Sequence, residues 1–199
     1  MKVLPAIDLR EGACVQLVGG AYEAETTLHQ VLERIPGNVF ELFDAEVLVI
    51  DDASRDTTFE VGLRSSAAST HAITVLYNPR NQGYGGNQKL GYRYAIRHGF
   101  DHVVLLHGDG QYAPESLPEI LAPLVKGTAD AVMGSRMLKP GGARRGGMPL
   151  YKFVGNKILT LAQNHMLGSR LSEFHSGYRA YRVATLAKIP FEANADVFH

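Results

Sequence analysis

The chain has 199 residues, 45% apolar and 20% charged, which provides for one core and lies outside the range of a disordered chain. Twenty Lys and Arg offset twenty Asp and Glu, so no global charge directs the chain to nucleic acid, and no nucleic-acid partner is expected. Cys14 is the only cysteine, which excludes an internal disulfide and fits a reducing, cytoplasmic compartment.

No charged-then-apolar leader opens the sequence, and apolar runs such as residues 103–106 are far too short to cross a bilayer. A soluble chain is expected, with peripheral contact at the inner face of the membrane left open. In chain order, residues 15–18 read as a first strand and 27–35 as a helix. Residues 47–50, Val-Leu-Val-Ile, read as a buried strand that delivers Asp51 and Asp52 to its end. Such carboxylates can accept hydrogen bonds from a ribose or a base edge. The Ser54-x-Asp56 turn that follows starts a helix, and either residue serves equally well as a plain cap.

Residues 73–76 form the next candidate strand, followed by a glycine-rich turn with Gly83, Gly85 and Gly86 and a helix over 88–98. Glycines leading into a helix N-terminus let the backbone approach a phosphate. The Gly-Lys-Ser/Thr ending of a Walker loop is absent, and a plain flexible loop is the competing reading. Residues 103–106 form another buried strand, and Asp109 follows it between Gly108 and Gly110. A lone carboxylate there suits a hard cation that takes its other ligands from water and substrate phosphates, and Gln111 can add a carbonyl oxygen. His107 can be a ligand, a side chain that orients a ligand, or a satisfied loop histidine, and the last two are the favoured readings. A helix over 117–126, a short strand over 131–133, Gly134-Ser135-Arg136, a loop over 139–147 and a helix over 151–167 complete the series. The loop holds Lys139, Arg144 and Arg145 among four glycines, so it reads as mobile and as the side on which an anionic acceptor enters.

Short apolar strands alternating with helices predict an α/β fold with a mostly parallel sheet flanked by helices. Ligands of such sheets sit at the carboxyl ends of the strands, where all of these polar segments fall.

Five motifs in series then carry a resemblance. Asp51-Asp52, Asn81-x-Gly83-x-Gly85, Asp109-Gly110-Gln111, Gly134-Ser135-Arg136 and Ser176-Gly177-Tyr178-Arg179 resemble those of family-2 glycosyltransferases of the GT-A fold. The likeness is greatest to enzymes that load mannose or glucose onto dolichyl or polyprenyl phosphates, and it covers about residues 21–199. It implies a GT-A catalytic domain over 1–199 and inverting hexosyl transfer. The donor would be a GDP- or UDP-linked sugar, and the acceptor a lipid phosphate or a carbohydrate. It also implies a divalent cation, magnesium or manganese. By position, it assigns Ala21, Tyr22, Glu23, Asp52, Gly83, Gly85 and Lys89 to the nucleotide. Asp109 and Gln111 go to the metal, and Asp109, Arg136 and Glu173 to catalysis, with Glu173 as the base for a hydroxyl acceptor.

The pattern breaks in two places. His107 stands where relatives carry the first aspartate of their D-x-D motif, which weakens the expected hold on the metal. Residues 1–20 instead resemble the opening of the histidine-biosynthesis sugar-phosphate isomerase, in which the position of Asp8 is catalytic. A barrel of that kind needs about 250 residues. The start therefore reads as an atypical or fused N-terminus, Asp8 is expected to be irrelevant to transfer, and the C-terminus reads as truncated. A catalytically inactive nucleotide-sugar-binding module is the main competing function, because a fold does not guarantee an activity.

Overall fold

Val47 and Val49 alternate with Leu48 and Ile50, and Val104 and Leu106 alternate with Val103 and Leu105; all eight are buried. Successive strand residues point to opposite faces, so a run that is apolar at every position requires cover on both sides. A computed structural model supplies that cover. It describes residues 1–10, 24–108, 110, 112–138, 141–145 and 148–195, with the backbone alone at 4–10, 24–26, 144 and 145.

The chain runs β1 (Lys2–Arg10), α1 (Ala24–Glu33), α2 (Gly37–Leu42), β2 (Asp44–Asp52), α3 (Thr58–Ala68) and β3 (Ala72–Tyr77). It continues through α4 (Gly83–Arg97), β4 (His102–His107), α5 (Leu117–Val125) and β5 (Ala131–Met133). The last described elements are α6 (Gly142–Arg145), α7 (Leu150–Leu167), β6 (Arg179–Arg182) and α8 (Val183–Leu186). The six strands form one sheet in the order β3-β2-β1-β4-β6-β5. β1 pairs parallel with β2 and β4, β2 pairs parallel with β3, and β6 runs antiparallel to both of its neighbours.

The pleat sorts the core into two layers. Val47, Val49, Val104 and Leu106 meet Leu28 and Val31 of α1, Val39 of α2 and Leu117 and Leu121 of α5. Leu48, Ile50, Val103 and Leu105 meet Tyr92 and Ala95 of α4, Val183 and Leu186 of α8, and Phe191. Each such side chain, once buried, contributes about 1.5–3 kcal/mol against conformational entropy. α7 stands apart from both layers, with Thr160 as its one buried residue, and it ends at Gly168 in the left-handed conformation (φ 60°). Glycine adopts that geometry without steric cost.

The parallel α/β sheet matches the expectation, with three differences. The central strand beside β2 and β4 is Lys2–Arg10, so the atypical N-terminus supplies the first strand; residues 15–18, expected in that role, lie outside the described residues. The 139–147 segment, read as a loop, contains a four-residue helix at Gly142–Arg145. β6 was not foreseen as a strand; its four residues, Arg-Ala-Tyr-Arg, carry little apolar signal, and pairing with β4 and β5 is what orders them.

His102 begins β4, is 4% exposed, and among the described residues has no hydrogen-bond partner for either ring nitrogen. Burial lowers its pKa below the ordinary imidazole value, and Asp101 opposes that shift. The unfolded chain then binds a proton that the folded chain resists. The stability from His102 is complete above about pH 6.5 and is lost as pH falls below it. Melting temperature should therefore drop between pH 7 and 5, and the drop should be shallower in His102→Leu. Equal slopes in the two proteins would refute this.

Candidate functional site

Register brings the motifs to one edge. Arg10 of β1 pairs with Asp52 of β2, and Asp8 of β1 pairs with His107 of β4. Because β6 is reversed, its first residue Arg179 lies beside Leu105 of β4 and Met133 of β5. The residues after β2, β4 and β5 and those before β6 thus gather at the carboxyl end of the sheet. β1 lies between β2 and β4, the point where chain order switches sides and where such sheets open a crevice.

The first wall of the site is built on two buried carboxylates. Asp51 Oδ1 accepts from Ser54 N–H at 2.9 Å, and its Oδ2 is buried without a hydrogen-bond partner among the described residues. Ala53 between them has φ 63°. A residue with a Cβ adopts that conformation at a cost of roughly 1–2 kcal/mol, so the turn is held by its surroundings. Asp52 is 1% exposed. Its carboxylate accepts from the Gln82 backbone N–H at 2.8 Å and the Asn78 amide at 3.0 Å. Asn81 reaches the Asp52 carbonyl oxygen at 3.3 Å. Asp52 therefore ties β2 to the turn before α4.

The second wall is aromatic. His107 Nε2 lies 3.0 Å from the Tyr84 hydroxyl, and the two rings stack with centroids 5.2 Å apart. Tyr112 lies 5.3 Å from the His107 ring and accepts the Gly177 N–H at its hydroxyl, at 2.8 Å. A Cβ at Gly177 would stand 2.1 Å from His107 Nε2, so the imidazole occupies the space a side chain would need. Gly134 is similarly pressed, with a notional Cβ 3.1 Å from the Tyr178 side chain, and its N–H donates to the Tyr178 carbonyl oxygen at 2.8 Å. Arg179 Nε donates to the Ser176 carbonyl oxygen at 2.7 Å and closes the Ser-Gly-Tyr-Arg turn.

Glu173 joins these parts. It is 1% exposed. Its carboxylate accepts from the Arg136 backbone N–H at 3.0 Å, Arg136 Nη2 at 3.1 Å and the Asn156 amide of α7 at 3.0 Å. The Arg136 guanidinium also lies over the Tyr112 ring, 5.4 Å from its centroid. Asn156 in turn accepts from the Thr160 hydroxyl at 3.1 Å.

The structure thus brings Asp52, Arg136 and Glu173 to the same edge of the sheet. Gly83 and Gly85 belong to the first turn of α4, which begins five residues earlier than the periodicity indicates. Lys89 is buried in α4 with its ammonium bonded to the Asn194 carbonyl oxygen, so it helps to fasten the C-terminal segment. Ala21, Tyr22, Glu23, Asp109, Gln111 and Lys139 lie outside the described residues, and Arg144 and Arg145 are described by backbone alone. Sequence reasoning passed over Tyr84, Tyr112 and Asn156. Tyr112 directly follows the Asp109-x-Gln111 motif, the one cue that marked it in advance.

Among the described residues, no three His, Cys, Asp or Glu side chains converge as a metal site. His107 Nε2 is taken up by Tyr84. Asp109 and Gln111, the oxygen donors that the sequence offers a cation, lie outside the described residues. That set fits a hard ion whose remaining ligands come from a diphosphate and water. Gly110, φ 70°, gives the turn after β4 a left-handed residue that a side chain would strain.

The sequence model of glycosyl transferase family 2 matches residues 20–189. The chain is 36% identical over 166 residues to an undecaprenyl-phosphate mannosyltransferase of Micrococcus luteus, covering 81% of this chain and 66% of that protein. It is 32% identical over 147 residues to the polyprenol monophosphomannose synthase of Mycolicibacterium smegmatis, covering 74% and 54%. It thus spans between about half and two thirds of the length of these two relatives. Its fold is that of glucosyl-3-phosphoglycerate synthase from Mycobacterium tuberculosis, solved with Mn2+, UDP-glucose and phosphoglyceric acid. The TM-score is 0.60 at 20% identity, over 95% of this chain and 59% of that one. A mannosyltransferase of Pyrobaculum calidifontis, solved with GDP-mannose and Mn2+, superposes with a TM-score of 0.56 at 18% identity, over 98% and 49%. These neighbours place the fold in the GT-A class.

Gly177→Ala should lower stability by roughly 1–3 kcal/mol, the usual cost of overpacking, because the His107 ring must leave Tyr84 to admit the methyl group. His107→Ala should restore most of that loss in the double variant. Urea denaturation of the four proteins reads the coupling, and strictly additive effects would contradict the packing described here.

Proposed function

The chain belongs to glycosyl transferase family 2, and from that premise we propose that it transfers a hexose from a GDP- or UDP-linked donor to a polyprenyl phosphate, with inversion. The names of the relatives support the acceptor class. One observation within the site favours a phosphate acceptor over a carbohydrate hydroxyl. A hydroxyl needs a base, and the carboxylate assigned to that role by family position is Glu173. Its buried carboxylate already accepts three hydrogen bonds, from Arg136 twice and from Asn156. A lipid phosphate is already anionic and needs no proton removed.

In this reading Glu173 is a positioning residue. It fixes the backbone and guanidinium of Arg136, which adds positive charge beside the departing nucleoside diphosphate. Asp52 acts through the turn it holds, setting the Asn78–Gln82 backbone and the first turn of α4 against the nucleotide. Gly83 and Gly85 allow close approach there, and Ala21, Tyr22 and Glu23 border the nucleoside by family position. Asp109 and Gln111 would hold magnesium or manganese, which when bound neutralises charge on the diphosphate. Among the described residues no helix is long and apolar enough to cross a membrane; in this reading the acceptor is met at the inner face of the membrane.

Two outcomes follow. GDP or UDP should raise the melting temperature markedly with manganese and little with chelator, and Asp109→Ala should remove the difference while leaving the unliganded melting temperature nearly unchanged. Equal stabilisation with and without metal would reject the cation. Transfer should be detectable to a polyprenyl phosphate and absent with a free sugar acceptor. Glu173→Gln, which keeps the shape but weakens the hold on Arg136, should reduce the rate without changing the steepness of its dependence on pH. Loss of an ionisation from that profile would instead make Glu173 a base and reinstate the hydroxyl acceptor.

A further inference from the structure

The two edges of the sheet are built differently. β5 is three residues long, too short to template another strand. β3 has six residues, Ala-Ile-Thr-Val-Leu-Tyr, with no charge, proline or glycine among them. Its register against β2 is unbroken from Ala72 to Tyr77, so no bulge turns it aside. Among the described residues no strand lies along its outer edge. Proteins ordinarily blunt such an edge with a lysine, a proline or a bulge, because its N–H and C=O groups recruit another strand. β3 has none of these, and Leu76 and Tyr77 are 36% and 49% exposed.

α3 lies over this strand. A notional Cβ on Gly62, at the middle of α3, stands 3.1 Å from Val75 Cγ1, so the centre of the helix sits over the centre of β3. One flank of α3 packs against α1, and Val61 joins the core there. Phe59, Leu63 and Ala67 follow one another at successive turns on the other flank. Phe59 packs on Tyr77 with ring centroids 5.3 Å apart, which sets that flank toward the open edge. Leu63 is 46% exposed, and Ala67 is exposed beside it. Glu60 and Arg64, both exposed, run along the solvent side of the same stripe.

We propose that this edge binds a second copy of the chain, by antiparallel pairing of β3 with β3 about a two-fold axis at Val75. Tyr77 of each copy then lies opposite Ile73 of the other, and Leu76 opposite Thr74, so each exposed side chain meets a β-branched neighbour. α3 touches both β3 and β2. Strands about 4.8 Å apart, with each helix seated between its own two strands, set the helix axes about 10 Å apart, a packing distance. Because α3 is centred on the axis, Leu63 meets Leu63. Because the helices run antiparallel, Glu60 of each copy stands beside Arg64 of the other. The surface is therefore complementary to itself in hydrogen bonds, apolar contact and charge, as an isologous interface requires. The two carboxyl edges point in opposite directions in this pairing, so each site stays within its own chain and the proposal does not rest on the transferase reading.

Sedimentation velocity from about 1 to 100 µM, the range in which contacts of modest area dissociate, should show monomer passing to dimer. Leu63→Glu places two carboxylates at the axis. It should raise the dissociation constant about tenfold or more, with an unchanged melting temperature at concentrations where both proteins are monomers. Arg64→Glu should raise the constant about threefold, the scale of an exposed ion pair, and Glu60→Arg with Arg64→Glu should restore it. Leu63→Cys in a Cys14→Ser background reads the placement. Mild oxidation should give a disulfide-linked dimer, and Ile189→Cys, exposed beyond α8, should give none. A monomer throughout, a dimer that Leu63→Glu leaves intact, a charge exchange that fails to restore binding, or a cross-link at 189 in place of 63 would each overturn the proposal. Nucleoside diphosphate binding should be equal in Leu63→Glu and the unaltered chain, so loss of the dimer leaves the transferase reading standing.

Discussion

Glu173 has almost no contact with water, and a carboxyl group in that position costs several kcal/mol unless donors surround it. The donors come from two places distant from it in the chain: Arg136, through both its backbone N–H and its guanidinium, and Asn156 of α7. Satisfying one group therefore fixes three elements at once. β5 ends where Arg136 must lie, β6 begins six residues beyond Glu173, and α7 is attached through a polar contact and not through a core. The cost of leaving any of these donors out of place is what gives the right-hand side of the site a single geometry.

The left-hand side is organised by the same principle with Asp52. Its carboxylate is buried, and it gathers a turn that precedes α4. Between these two carboxylates sits the aromatic shell of Tyr84, His107 and Tyr112, pressed against Gly177. The His107 imidazole is thus held by packing and by a hydroxyl, and it fills the space beside Gly177.

The central strand poses a different question. β1 precedes the segment that the family model matches, residues 20–189, and yet it occupies the middle of the sheet. Pro5 within it has no N–H and leaves one rung of the ladder unfilled. Parallel pairing is carried by the backbone, and backbone hydrogen bonds do not depend on side-chain identity. An apolar stretch such as Lys-Val-Leu-Pro-Ala-Ile can therefore occupy the position even though its sequence resembles another family. Asp8, the residue that mattered in that resemblance, has its backbone beside His107 at the edge of the site. The strand is integral to the sheet although the segment reads as foreign.

Much was legible in the residues alone. The apolar runs at 47–50, 73–76 and 103–106 located three strands, the periodic stretches located α1, α4, α5 and α7, and the placement of polar residues after strands located the edge that carries the site. These are properties of short windows, where side-chain period and local propensity decide. What the sequence did not decide depends on contacts between distant residues. β6 exists because β4 and β5 flank it. Lys89 turns to the C-terminal segment because α4 buries it there. Glu173 accepts its three hydrogen bonds because the fold brings Arg136 and Asn156 to it. The outward face of α7 is apolar because its inward face is used for polar bonds, an orientation that helical periodicity leaves open since the same stripe can face either way. Local patterns determine which elements form; only the tertiary structure determines which buried polar groups find each other, because those partners lie far apart in the chain.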